Sequence, residues 1–475
     1  MSTNYELVVG LETHVELLTQ TKIFCGCPNA FGAESNTNCC PVCIGLPGTL
    51  PKLNREVVNF AIKVGLALNC EINLRSKMDR KNYVYPDLPK AYQISQYDLP
   101  ICKNGFIQLS SGEKIRINRI HMEEDAGKLV HKAGDIYVDY NRGGVPLLEI
   151  VTEPDISTSI EAKEYVEKLQ MVLRYIGVSD CKMQEGSMRC DVNVSIRQMG
   201  AQSLGTRTEI KNMNSITFMT KAIDYEYQRH VAVIESDHKI MQETLRYVEE
   251  TGTTETMRGK EDAQDYRYFG DPDLVDIILN ESEIENIKKS LPELPENRFK
   301  RYTEKFGIPE NDALLLIKYK NVSDFFESSS QGFKNPKIIS NFIVGQIFRN
   351  IETEADREKF NVPITPFQLN ELALLVESSK LNMNLAKKAL TKMLETGKNV
   401  KEFVSESDMQ EISSEEIEQI CKEAIDTNSA AVKDYLSGKE KALKSILGFV
   451  MKQTRGRGDI RLIEQKLIDL IKNIV

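Results

Sequence analysis

Tryptophan is absent from this chain of 475 residues, and aromatic residues of every kind make up only 7% of it. That shortage does not point to disorder, because 41% hydrophobic and 28% charged residues is an ordinary composition for a globular protein with real cores. Long apolar runs are also missing. No uninterrupted stretch approaches the roughly 20 residues needed to cross a bilayer. The opening MSTNYELVVG lacks a basic region followed by an apolar one, so the expected location is the cytoplasm. There is no surplus of positive charge: 61 Lys and Arg against 70 Asp and Glu leave a net −9, which excludes a protein that coats nucleic acid over its whole surface. A local RNA site stays open. No Walker loop, Gly-rich dinucleotide fingerprint, internal repeat or low-complexity segment occurs.

What is there is uneven. At 475 residues the chain exceeds what one core usually organises, so two or three domains are expected. Up to about residue 270, short β-rich runs (YELVVGL, FIQLSS, KIRINRIHM, DIYVDY, VNVSIRQM) alternate with turn signals. Two helical stretches interrupt them, Arg55–Leu68 and Ser159–Tyr175. This predicts an α+β domain with a mostly antiparallel sheet. From about Glu281 onward nearly every window has helical periodicity with charged faces, and Ser413 and Ser414 before Glu415 and Glu416 suit a helix start. From Lys439 to Val475 nine Lys/Arg face four Asp/Glu, so the tail is basic although the whole is acidic.

Five of the ten cysteines crowd between Cys25 and Cys43. Cys25-x-Cys27, twelve intervening residues and Cys40-x-x-Cys43 make two close pairs, with Cys39 spare. Paired thiolates on tight turns suit tetrahedral zinc, with Zn–S about 2.3 Å. Acidic groups and an imidazole recur in the β-rich half: Glu12 and His14 in GLETHVEL, Glu123, Glu124 and Asp125 in HMEEDAGK, Glu149 in PLLEIV, and Asp191 in MRCDVNVS. In a strand Glu12 and His14 share a face. Carboxylates gathered on a sheet face are unfavourable without a cation, and oxygen ligands with one imidazole suit Mg²⁺ or Mn²⁺. A solvated polar face fits the same spacing. In RKNYVYPDLPKAYQISQYDLP, Lys81, Tyr83, Tyr85, Lys90, Tyr92 and Gln96 interleave bases, aromatics and amides, a mixture that can hold a nucleotide or an RNA end. A loop packing its tyrosines on the sheet is an equal alternative.

GLETHVEL, FGAESNTN, PGTLPKLN, RKNYVYPDLPKAYQISQ, HMEEDAGK, DYNRGGVPLLEIVTEPD, EGSMRCDVNVSIR, EIKNMNSI, DYRYF, LPELPENR, DYLSGKEKAL and VMKQTRG occur in this order. With these motifs the chain closely resembles the B subunits of aspartyl/glutamyl-tRNA amidotransferases over essentially its whole length. The resemblance implies a cradle-shaped catalytic domain (1–292), an all-helical domain (293–405) and a small helical tail domain (406–475). It also implies a ligase that uses ATP and Mg²⁺ to phosphorylate the side-chain carboxylate of Glu on tRNA(Gln) or Asp on tRNA(Asn). Ammonia released from glutamine by a separate amidase, the A subunit, then displaces the phosphate, while a small C subunit joins the two. Expected partners are thus the A and C subunits of a heterotrimer and mischarged tRNA, with neither membrane nor DNA.

By the same resemblance His14, Glu124 and Glu149 are the Mg²⁺ ligands, and Glu12, Asp191 and Glu209 line the pocket. Lys81, Tyr83, Lys90 and Gln96 face ATP or the acceptor end. The zinc at Cys25, Cys27, Cys40 and Cys43 is structural. The tail residues Lys439, Lys441, Lys444, Lys452, Arg455 and Arg457 contact tRNA. The chain departs from the family's usual pattern at Gly456–Ile460, at Gly270-Asp271 and at Gln184, none of them a proposed metal ligand. Two other functions compete: a tRNA-binding assembly subunit without a catalytic site, and a free-standing amide synthetase. The first predicts amidation that survives loss of a carboxylate, the second activity without any partner chain.

Overall fold

Alternation from Val9 to the end of the first strand, β1 (Tyr5–Glu16), sets the plan: Leu11, Thr13 and Val15 are buried on one face, and Glu12, His14 and Glu16 lie on the other. The computed structural model describes residues 4–472 except 212, 214, 260–264, 334, 406–412 and 455–459. It forms two compact units, Met1–Leu294 and Pro295–Val475.

The first unit continues with β2 (Glu71–Ile72), β3 (Arg75–Ser76), β4 (Asp79–Asn82), β5 (Tyr92–Ser95), β6 (Cys102–Gln108) and β7 (Lys114–Glu124). A protruding hairpin, β8 (Lys128–Lys132) and β9 (Asp135–Asp139), precedes β10 (Pro146–Thr152), β11 (Met188–Gln198) and β12 (Thr208–Lys211). Last come β13 (Glu243–Val248), β14 (Thr253–Gly259), β15 (Phe269–Gly270) and β16 (Ile277–Ile278). Nine of these strands make one sheet, ordered β14-β13-β12-β11-β1-β10-β7-β6-β2. Its pairings are antiparallel except β12 with β13, so the antiparallel expectation holds for the bulk of it. A small sheet, β15-β4-β5, carries the segment rich in lysine and tyrosine.

Helices cover one face of the large sheet. The expected helices appear as α1 (Arg55–Ala67), capped by the Asn54 side chain, and α2 (Ser159–Tyr175), capped by Thr158. A third long helix, α3 (Ile216–Glu235), was not expected from the sequence. Its β-branched residues (Ile216, Thr217, Thr220, Ile223, Val231, Val233, Ile234) lower helix propensity, and the helix stands on its Ser215 cap and on burial of Met219, Ala222 and Ile223. Tyr165, Leu169 and Leu173 from α2 join Leu11, Val15, Ile120, Leu148, Ile150 and Val192 in one core, which leaves the opposite sheet face bare for polar residues.

The second unit contains only helices among its described residues. Tyr302 and Phe306 stack in its first part, and Phe326 meets both edge-on. The last helices, Ser414–Thr427, Ser429–Leu436, Ala442–Gln453 and Ile460–Lys472, enclose their own core of Cys421, Ile446, Val450, Ile463, Leu467 and Ile471. Ser413 caps the first of these, accepting from Glu416 N.

Candidate active site and cysteine cluster

The bare face of the sheet gathers charge from five adjacent strands. His14 on β1 lies opposite Glu149 on β10, and Glu149 lies opposite His121 on β7. On the other flank Glu12 lies opposite Asp191 on β11, and Asn193 opposite Glu209 on β12. Directly opposed residues of antiparallel strands project to the same side, so register alone puts these groups together. His14 Nε2 sits 3.5 Å from both Glu123 Oε1 and Glu149 Oε2, and His121 Nε2 is 3.1 Å from Glu149 Oε2. His14, Glu123 and Glu149 offer ligand atoms that all lie within 4.8 Å of one another, a group that can hold a metal ion.

Burial and neighbouring charges pull the groups of this cluster in opposite directions. Burial disfavours the His14 imidazolium, yet its bond to Glu149 and the charges of Glu123, Glu149 and Asp191 push its pKa up to about 9. Burial likewise opposes the Glu149 carboxylate, and His121 and His14 hold it well below the usual range. Glu12 is raised by burial and by Glu149. Glu16, next on the same face, is pushed up to about 7 by burial and by Asp125.

The structure splits the carboxylates expected to share a pocket. His14, Glu149 and Glu123 converge, but Glu124 does not join them. Alternation in β7 turns it away, and its Oε1 accepts from Lys90 Nζ and from Ile94 N at 2.9 Å. Glu123 therefore takes the place expected for Glu124. Glu12, Asp191 and Glu209 form a neighbouring group organised around a protein cation: Lys211 Nζ is 3.1 Å from both Asp191 Oδ2 and Glu209 Oε1. Burial works against that ammonium, and the two carboxylates raise its pKa. Asn193 Nδ2 donates to Glu12 Oε1 at 2.8 Å, and Thr244 Oγ1 to Glu209 Oε2 at 3.0 Å.

Of the residues expected to face ATP or the acceptor end, Lys81 feels the charge of the cluster. Burial disfavours its ammonium, while Glu123 and Glu149 hold its pKa up. Its Nζ lies 4.8 Å from the Tyr266 ring centre, Tyr83 meets Tyr266 edge-on, and Tyr97 stacks on Tyr268 at 4.4 Å. Lys90 is held by Glu124. Gln96 is buried and braces main chain: Nε2 donates to Lys77 O at 3.0 Å, and Oε1 accepts from Met122 N at 3.0 Å and from Ile101 N at 3.3 Å. With its polar atoms so used, it is not offered to a ligand. His121, Lys211, Asn193, Tyr266 and Tyr268 are site residues that sequence reasoning missed. For His121 the spacing to Glu123 was a readable signal.

The four predicted thiols do converge: Cys25, Cys27, Cys40 and Cys43 lie within 4.8 Å of one another and can hold a metal such as zinc. Cys43 Sγ is 3.5 Å from Cys25 Sγ and 3.8 Å from those of Cys40 and Cys27. Corners of a tetrahedron about 2.3 Å from a zinc ion lie about 3.8 Å apart. Cys39 points away, donating to Asn36 O at 3.1 Å. The loop runs close to Lys90: a Cβ at Gly45 would come within 2.8 Å of Lys90 Cγ, and at φ +66° the position favours glycine in any case. In the second unit Lys439, Lys441, Lys444 and Lys452 are exposed, and Arg455 and Arg457 lie outside the described residues.

Residues 7–285 match the GatB/GatE catalytic domain family, and residues 324–471 match the GatB domain family. The chain is 51% identical to the B subunit of the aspartyl/glutamyl-tRNA(Asn/Gln) amidotransferase of Caldanaerobacter subterraneus subsp. tengcongensis over 468 residues, 98% of each chain. The chain belongs to the family of amidotransferase B subunits. Two further members of the family give the same picture: 50% identity with the Thermoanaerobacter sp. protein over 468 residues and 48% with the Clostridium kluyveri protein over 470, each covering 98% of both chains. The family is the B component of glutamine-hydrolysing amidotransferases, ligases that form carbon–nitrogen bonds. The catalytic-domain match spans both the carboxylate and the thiol cluster, and the second match spans the four exposed tail lysines.

Proposed function

We propose that this chain converts Glu on tRNA(Gln) or Asp on tRNA(Asn) to the amide, in two steps, with a partner A subunit supplying ammonia from glutamine and a C subunit holding the other two together. In the first step the side-chain carboxylate attacks the γ-phosphorus of ATP and ADP leaves. In the second, ammonia attacks the acyl carbon and phosphate leaves. Phosphorylation is needed because a free carboxylate has no good leaving group. The observation that carries this reading is the convergence of His14, Glu123 and Glu149, buried or nearly so, on one face of the sheet.

These three residues would hold Mg²⁺. Cis ligands of an octahedral ion at about 2.1 Å lie about 3 Å apart, so the 3.5 Å contacts of His14 need only a small contraction. Bound there, Mg²⁺ would neutralise phosphoryl oxygens and bring ATP to the acceptor. His121 orients Glu149. Lys211 holds Asp191 and Glu209 together beside Glu12, where they orient the acceptor or a second cation. Lys81 presents positive charge to the phosphates, and Tyr83 and Tyr266 next to it offer a stacking surface to a base. Lys90 acts through Glu124.

Cys25, Cys27, Cys40 and Cys43 would hold a structural zinc ion. We read residues 1–292 as a cradle-shaped catalytic domain, 293–405 as a helical domain, and 406–475 as a tail domain whose lysines meet tRNA phosphates. No helix among the described residues is long and apolar enough to cross a membrane. An enzyme of mischarged tRNA would work in the cytoplasm.

The test is ATP-dependent amidation of Glu-tRNA(Gln) and Asp-tRNA(Asn), with ammonium chloride as nitrogen donor, by the chain co-expressed with the A and C subunits. Product that vanishes in Glu123→Ala supports a catalytic chain. Undiminished amidation in that variant leaves a tRNA-binding assembly subunit.

A further inference from the structure

Lys22 is fully buried, three residues before the first cysteine of the thiol cluster. Its ammonium donates to Gly143 O at 2.7 Å and Tyr140 O at 3.2 Å, and its third contact is Cys43 Sγ at 3.5 Å. Among the described residues no carboxylate comes within ion-pair reach of it. Lysine is almost never fully buried without an anion, because an ammonium taken out of water needs compensating charge as well as hydrogen bonds. The two carbonyls supply bonds but no charge, and a neutral Cys43 thiol supplies none either. Four thiolates around one divalent cation carry a surplus of negative charge, and Cys43 is the sulfur turned toward this lysine.

We propose that Lys22 is a positioning residue of the metal centre: it donates to the metal-bound Cys43 thiolate, offsets the charge of the four-thiolate complex, and pins the cysteine loop to the turn at 140–143. The proposal rests on the zinc reading above. The lysine is well placed for this, because its own main chain is fixed on both sides. Lys22 N donates to Cys27 O at 3.0 Å, and Ile23 N donates to Gly144 O at 3.0 Å. Gly144 N in turn donates to Asp125 O at 2.9 Å, two residues from Glu123. Partners just outside the ligand shell commonly change metal affinity about 10- to 100-fold when removed.

The experiment uses the full-length chain loaded with Co²⁺ or Zn²⁺, comparing wild type, Lys22→Met and Lys22→Arg. In Lys22→Met the thiolate-to-cobalt charge-transfer band shifts, and release of metal to a chelator accelerates about 10- to 100-fold. Lys22→Arg, which keeps the charge, restores most of both. A lysine that merely props the carbonyls would lower stability without moving the band, so a Met variant with the wild-type band and release rate overturns the proposal. If Lys22→Met does not fold, the wild type decides. Lys22 must resist an amine-reactive reagent while metal is bound and become reactive on chelation, with exposed Lys388 reacting in both states; equal reactivity of Lys22 in the two states overturns the proposal. A wild-type chain that takes up neither metal sinks the zinc reading and this proposal with it, and is recognised before any substitution is made.

Discussion

The thiol cluster and the carboxylate cluster both gather ligand atoms within 4.8 Å, but they are built in opposite ways. The thiols come from one short loop, Cys25 to Cys43, and are only half-buried. The carboxylates and imidazole come from three neighbouring strands and lie deep on the sheet. A loop relies on its ion for its shape, because a set of thiols is seldom preformed without metal. A sheet face is shaped beforehand by ladder hydrogen bonds and by the core behind it. The difference teaches that losing the metal should unmake the first cluster and leave the second standing.

The sharpest way to break that comparison is to remove single ligands from the preformed site. Glu123→Ala and Glu149→Ala should each lower ATP-dependent amidation by roughly 10²- to 10³-fold, the usual effect of deleting one preorganised electrostatic group. Thermal unfolding of Glu123→Ala should stay near that of the wild type, whereas Glu149→Ala, which takes the carboxylate from His121 and His14, should unfold at a lower temperature. Glu124→Ala, which loses its bonds to Lys90 and Ile94 N, should cost far less activity. Equal losses at Glu123 and Glu124 would overturn the division of labour between them.

Cys40→Ser probes the other side. The variant should lose its metal and show faster proteolysis within the loop around 25–45, while the strands that carry His14 and Glu149 keep their hydrogen-exchange protection. Protection lost across the whole sheet would mean that the thiol module supports the fold as well as its own loop.

A third buried ionic group serves as a control that needs no metal. Burial opposes the Glu226 carboxylate, but its bonds to His230, Arg229 and Thr254 hold its pKa at about 2. A depressed carboxylate contributes its full stability above its unfolded pKa, near 4.5, and loses that contribution as pH falls toward 2. The wild type should therefore exceed Glu226→Gln by an amount that shrinks between about pH 5 and pH 2, up to about 3 kcal/mol in all. Urea unfolding at a series of pH values measures it, and a constant gap would show that the shift is absent.

The smallest effect belongs to the exposed tail. Reversing Lys441, Lys444 and Lys452 together should weaken tRNA binding and flatten its salt dependence, leaving glutaminase activity of the assembled complex unchanged. Unchanged affinity would reduce these lysines to a solvated helix face.

Local features were the readable ones. β1, β7, α1 and α2 follow from period-two or helical patterns within each segment, and the thiols from spacing on one loop. What escaped is set between segments. Glu123 and Glu124 are chemically identical neighbours, and only the register of β7 on β10 decides which of them faces His14. Lys22 is a single lysine whose partners lie far away in sequence, and Lys211 joins its strand neighbour Glu209 to Asp191 on the next strand. Gln96 in a polar loop suggests a ligand contact, whereas the backbone at Lys77, Ile101 and Met122 uses all its polar atoms.

The two-residue pitch of β7 also bears on how chains of this kind can change length. One residue inserted within β7 before Glu123 would shift both glutamates by one step, sending the Glu123 carboxylate into the bonds of Glu124 and leaving its own place without a carboxylate. An insertion in the turn at Ser110–Gly112, ahead of the strand, leaves both where they are. Within the sheet an odd insertion is survivable only where pairing already skips a step, as it does between Val151 and Thr152. Drift in length should therefore accumulate in the hairpins of this unit and stop short of its central strands.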